Sequence, residues 1–214
     1  MRALSAMMVL ATGCVPVALS PPPTHVPPGV HREHGVSLSA GTMFEANAGS
    51  TPYFYPQFPM GGAQVFIRQE ISPRLDVAGV VYLNRGAGAG ATVRFWSVRA
   101  DRLSVGHTLS AGASYAAGGL PVQWTFREAA TVHIQPTIGM VYSPFDLFGT
   151  KPVLLQFPVG ITAHAPPAPT PFRNLTLEVI PEIRQTAEIP GGAGELVTGG
   201  TFNGSISLMV SASR

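Results

Sequence analysis

The sequence predicts an all-β fold, a closed antiparallel up-and-down β-barrel of 8–10 strands with 10 favoured by parity. Three observations carry this. Charged residues make up 11% of the 214 residues, against about 25% in ordinary soluble domains. Mean hydropathy is positive at +0.24, yet after the N-terminus no run of ~18 apolar residues could form a spanning helix. From Gly35 onward, segments of period-two alternation recur between Gly, Pro, Asn and Asp, the mark of strands half-buried on one face. A chain this apolar without spanning helices points to the other structure a bilayer accepts, a barrel with no free strand edge.

The strands follow in order. Val36 to Ala40 alternates from the start. Residues 63 to 71 set Ala63, Val65, Ile67 and Ile71 against Gln64, Arg68 and Glu70, and Ser72-Pro73 turns the chain. Leu75, Val77, Val81 and Leu83 oppose Arg74, Asp76 and Asn84. Val93 and Phe95 flank Arg94, and Ala100-Asp101 turns again. Leu103, Val105, Leu109, Ala111 and Tyr115 then share a face. Val132, Ile134, Ile138 and Met140 form the next, followed by Val153, Leu155, Phe157, Val159 and Ile161. Leu175, Leu177, Val179 and Ile183 oppose Glu178, Glu182 and Arg184, and Phe202, Ile206, Leu208 and Val210 close the series. Nine segments are clear, and Val122 to Arg127 supplies a tenth that returns both chain ends to one side. Longer joins are expected at 47 to 60, 116 to 121, 143 to 151 and 188 to 199. Gly86-Ala87-Gly88-Ala89-Gly90 is read as a hairpin turn, since no Lys-Ser/Thr closes it as a phosphate loop would need. Pro136, Pro158 and Pro181 predict bulges or strand ends, because proline cannot donate to a ladder.

The N-terminus is organised differently. Arg2 precedes a mostly apolar run to Leu10, and Ala11-Thr12-Gly13-Cys14 follows with the only cysteine of the chain. This layout resembles the signal and lipobox of bacterial lipoproteins. The resemblance implies cleavage before Cys14, diacylglycerol on its thiol and an acyl chain on its new amine, with no other cofactor. It also implies a bacterial cell envelope; Val15 in place of Asp after the cysteine implies the outer membrane. The expected organisation is a signal over 1–13, an acylated cysteine and Pro-rich tether over 14–34, and a barrel over 35–214. Residues 35 to 214 in turn are similar in pattern to small outer-membrane β-barrels, although the last strand lacks the terminal aromatic common in that family.

Composition excludes several functions. Without Arg2, 12 basic residues face 11 acidic ones, so no polyanion such as nucleic acid is expected. His25, His31 and His34 lie in the tether without a third ligand, and no metal is expected. Glu178 and Glu182 lie about 13 Å apart on one strand face, too far for paired glycosidase carboxylates. His107 and Ser110, three apart, fall on opposite faces. No catalytic residue is assigned.

Two groups remain as candidate sites. Arg68, Glu70, Arg94, Glu178, Glu182 and Arg184 occupy polar faces and would form a charge network in the lumen of a membrane barrel, since buried charges must pair. Tyr53, Phe54, Tyr55 and Phe58 are candidates for an interfacial aromatic cluster. The function expected is a lipid-anchored outer-membrane barrel with a structural or interaction role, non-enzymatic. Its partners would be outer-membrane lipid and an envelope protein. The alternative is a soluble, lipocalin-like barrel with an apolar ligand inside. The direction of the apolar face separates the two.

Overall fold

A computed structural model describes residues 32–46, 60–83, 87–113, 115–126, 129–141, 153–165, 174–188 and 197–213. They form thirteen strand segments: β1 (Arg32–Ala46), β2 (Met60–Ser72), β3 (Leu75–Leu83), β4 (Ala87–Arg99), β5 (Leu103–Gly112), β6 (Tyr115–Gly119), β7 (Val122–Phe126), β8 (Ala130–Ile134), β9 (Thr137–Val141), β10 (Val153–Gln156), β11 (Val159–His164), β12 (Asn174–Glu188) and β13 (Val197–Ser213). All pairings are antiparallel, and the sheet closes on itself. β6 with β7, β8 with β9, and β10 with β11 are halves of single barrel strands, so ten strands make the wall.

The halves are separated by proline in a regular way. Gly106 donates its N–H to the carbonyl of Pro121, Leu120 to Pro136, Gln135 to Pro158 and Phe157 to Pro181. Each of these is one half of a two-bond pair whose return bond proline cannot make. Four successive seams therefore each lose one bond, along one belt. Register is the same above and below the belt: Thr108↔Gly119 and Leu103↔Trp124 belong to one alignment, as do Thr137↔Gly119 and Ile134↔Val122. Side chains thus keep their faces across the interruption. Pro136 and Pro158 do part their strands, whereas Pro181 sits inside continuous β12 opposite Gly204. Pro121 belongs to the same belt and was expected in a loop.

Several expectations are corrected. The join expected at 116 to 121 is strand, because Tyr115–Gly119 pairs with both β5 and β9. Tyr115 consequently leaves the outer face of β5 and points inward. Ala87 to Gly90 are ladder residues of β4 paired to β3, not a turn. β1 begins at Arg32 rather than after His34, since Glu33 pairs with Arg68 on β2 and Ser213 on β13. Residues 197 to 199 pair with β12 rather than looping. Register also shifts between Glu70 and Ser72 and between Trp96 and Val98, where local bulges re-aim the strands.

The alternating faces settle the sign of the barrel. Leu109 is 71% exposed, Leu83 61% and Leu38 60%, with Val153, Leu155 and Phe157 also exposed. The interior holds Ser37, Gln64, Thr92, Thr131, Gln156, Thr176 and Glu182, all buried. The protein is apolar outside and polar inside, the distribution of a barrel whose solvent is lipid. An apolar lining, which the lipocalin-like alternative needs, is not what these faces supply.

Candidate functional site

The lumen is filled by side chains that reach across from alternate positions of each strand. The end where the chain enters β1 and leaves β13 is the terminal end; the other is the loop end. Near the terminal end, Arg68 on β2 meets Glu33 on β1 at 2.6 Å with both side chains buried. One strand further, Arg94 on β4 lies 3.4 Å from Asp76 on β3. Asp76 also accepts a 3.0 Å bond from the indole Nε1 of Trp96, and the Arg94 guanidinium sits 5.6 Å from that ring's centroid. At the rim, Arg99 forks onto both carboxylate oxygens of Glu70, each at 3.3 Å, and donates to the carbonyl of Pro73.

The opposite wall pairs its carboxylates with neutral or titratable groups. Glu178 on β12 accepts from His133 Nε2 on β8 at 2.9 Å, across the strand β11 that separates them. Glu182 accepts from Gln156 at 2.7 Å. Buried hydroxyls bond one another along the same wall, Thr162 with Thr176 at 2.8 Å and Ser37 with Ser207 at 2.6 Å. Asn174 Nδ2 and the Ser211 hydroxyl both donate to Glu33. With its NH₂ committed to that carboxylate, Asn174 presents Oδ1 to His164, whose Nδ1–H donates at 2.9 Å. The amide and the tautomer are fixed together. His164 Nε2 completes the line with Thr131 at 2.8 Å.

Toward the loop end the lumen turns apolar. Phe66, Val80, Tyr82, Tyr115, Leu154 and Met209 pack as a buried cluster, with the rings of Tyr82 and Tyr115 edge to face at 5.6 Å. The glycines of β4 exist for these rings. A Cβ on Gly88 would lie 2.4 Å from the Tyr82 hydroxyl, and one on Gly90 would lie 2.6 Å from that of Tyr115. Gly160 does the same for His133, whose Cε1 would be 2.6 Å from an added Cβ. A glycine thus gives room for a large side chain on the adjacent strand, as Gly88 and Gly160 do, or on the strand beyond it, as Gly90 does.

Of the candidate charges, Arg68, Arg94, Glu178 and Glu182 are buried in the lumen, and Glu70 lies at its rim. They do not contact one another in the pairs just described; each has a partner that sequence reasoning did not single out: Glu33, Asp76, Arg99, His133 or Gln156. Arg184 is placed on β12 opposite Leu154 and Thr201, and its side chain lies outside the described residues. So do Cys14, Tyr53, Phe54, Tyr55 and Phe58. His107 faces outward and Ser110 inward, and among the described residues no three His, Cys, Asp or Glu gather as a metal site would.

On the outer wall near the terminal end, Trp124 and Phe126 are about half exposed and stack at 6.1 Å with their planes 17° apart. The turn beside them carries exposed Asp101 and Arg102, while Arg74 is exposed in the turn between β2 and β3 and Arg32 at the start of β1.

No protein-family model matches the chain, and no curated protein matches it in sequence. Among solved structures it is similar to Ail, the attachment invasion locus protein of Yersinia pestis, at 11% identity and a TM-score of 0.31, covering 85% of this chain and 99% of that one. Neisserial surface protein A matches at 10% identity and a TM-score of 0.32, over 86% of this chain and 97% of that one. The toluene transporter TodX of P. putida matches at 6% identity and a TM-score of 0.28, over 86% and 90%. At these scores the strand pairing and the burial pattern remain the basis of the fold.

Proposed function

We propose that this chain is a barrel of the bacterial outer membrane, tethered by acyl chains on Cys14 and embedded by its own apolar wall, with a structural or interaction role and no enzymatic one. One observation carries the reading: every barrel strand presents large apolar side chains outward, while Arg68, Arg94, Glu178 and Glu182 point inward. Water would reverse that arrangement, since exposed apolar area costs about 25 cal/mol per Å² and buried charge costs more. The filled lumen, closed by ion pairs at one end and by Tyr82 and Tyr115 toward the other, supports a role that does not pass solutes. The chain's first partner is then membrane lipid, and an envelope protein is the candidate second. The lone cysteine within Ala11-Thr12-Gly13-Cys14 supports the lipid tether, and two acyl chains suffice for stable attachment.

The test separates the two anchors. In cells labelled with a palmitate analogue, the wild type takes up label and Cys14→Ala does not. Membranes carrying Cys14→Ala are washed with carbonate and with urea; the variant is expected to stay in the pellet. Its release into the soluble fraction would show that lipid alone held the protein and would overturn the spanning reading.

A further inference from the structure

The described residues at the terminal end of the barrel carry exposed positive charge. Among the described residues, Arg32, Arg74 and Arg102 are exposed at the terminal end, and Asp101 is the exposed acid beside them. The other arginine of that rim, Arg99, is committed to Glu70.

The three arginines also sit at a particular height. Arg74 lies three residues after Ile71, which is 56% exposed on the outer wall. Arg102 precedes Leu103, where the apolar face of β5 begins. Arg32 faces outward at the first residue of β1, directly opposite Gln69 and two residues below the level of Ile67 on β2. Trp124 and Phe126, the outward aromatics of β7, end at the same rim. Guanidinium groups at the margin of an apolar band, beside aromatic rings, stand where a bilayer presents its headgroups.

We infer that the arginines of this end, Arg32, Arg74 and Arg102, with the Trp124–Phe126 pair beside Arg102, select anionic phospholipid headgroups in the leaflet they meet. The inference rests on the reading that the wall is embedded in lipid. A guanidinium forks onto phosphate oxygens through paired N–H donors, and a single arginine at a membrane surface favours anionic lipid about fivefold. Zwitterionic headgroups offer the same phosphate but cancel the attraction with their own cation, so net lipid charge is the variable that matters.

The full-length protein, folded into phosphatidylcholine vesicles, is probed with spin-labelled phosphatidylglycerol and spin-labelled phosphatidylcholine, and the motionally restricted fraction of each is measured. Phosphatidylglycerol is expected to exceed phosphatidylcholine in that fraction by roughly fivefold or more at low salt. The excess should fall toward unity in the triple variant Arg32→Gln, Arg74→Gln, Arg102→Gln, and toward unity for the wild type near 1 M salt, where screening acts within about 3 Å. Equal fractions in the wild type, or an excess that survives the triple substitution, would overturn the inference. So would an acidic soluble protein displacing the bound lipid while the vesicle composition has no effect. Insertion is scored independently by protease protection and by heat-dependent gel mobility in pure phosphatidylcholine. Failure of insertion overturns both readings, whereas insertion without lipid preference overturns this one alone.

Discussion

Glu33 shows how much one side chain can hold. It binds the Arg68 guanidinium, accepts from Asn174 and Ser211, and through Asn174 orients His164. Removing one member of a buried pair leaves the other charge without compensation, at about 3–5 kcal/mol, while removing both costs far less. Glu33→Ala is therefore expected to destabilise the barrel by about that amount in urea titrations from vesicles. The double variant Glu33→Leu, Arg68→Leu should recover most of it. A double variant no more stable than the single one would show that Glu33 acts through something other than this pair. The sequence made Arg68 and Arg94 visible, because each interrupts an apolar alternation with a charge. Their partners were not visible. Glu33 looked like tether, and the pairing of Asp76 with Arg94 depends on a register that no local pattern encodes.

Among elements, the glycines and prolines repay attention. Gly160→Ala is expected to push the His133 imidazole off Glu178, since the new Cβ would lie 2.7 Å from the Nε2 that makes the bond. Loss of that bond is readable in the imidazole nitrogen resonances of the folded protein in micelles, and unchanged resonances would count against the packing described. Alternation identified strand after strand, because it survives any environment that differs between the two faces. It failed at Tyr115, an aromatic that continues the outward count of β5 on paper but begins β6 facing in. It also failed along Ala87 to Gly90, where glycine signals close approach by Tyr82 and Tyr115 instead of a turn. Proline was read correctly as a strand end at Pro136 and Pro158, whereas Pro181 stays inside β12 with no bulge. That four prolines fall on one belt was beyond reach, since the belt exists only once residues 15 to 24 positions apart are aligned, as Gly106 with Pro121 and Phe157 with Pro181 show.

For the whole molecule, the low charged fraction carried more than any motif. Period-two alternation is common to soluble and membrane barrels, so it says that two faces differ and not which one is outside. A scarcity of charge chose the outside correctly, because a ten-stranded wall facing water needs far more polar surface than this chain contains. Depth within the bilayer follows from the same distribution. An arginine on the lipid face costs about 2–4 kcal/mol at the midplane and about 0–1 near an interface. Leu109→Arg, in mid-strand and 71% exposed, is expected to cost the larger amount. Leu103→Arg, at the start of β5 beside Arg102, should cost the smaller. Equal costs at the two positions in vesicle unfolding would contradict the placement of the membrane along the barrel.

The seam between β1 and β13 has a consequence for how the barrel comes into being. It contains fourteen residue pairs, from Glu33↔Ser213 to Ala46↔Gly200, and no proline. One of its hydroxyl bonds, Ser37 to Ser207, spans 170 positions of the chain. Every other seam joins strands that are neighbours or near neighbours in sequence, and each can zip as a hairpin soon after its residues emerge. Closure belongs to a different kinetic class, because loop entropy must be overcome before any of its contacts repays it. Until then β1 and β13 are open edges, able to pair with any strand that passes. The last step of assembly is thus a race between self-closure and a stranger, and the unbroken run of donors and acceptors on that seam sets the odds.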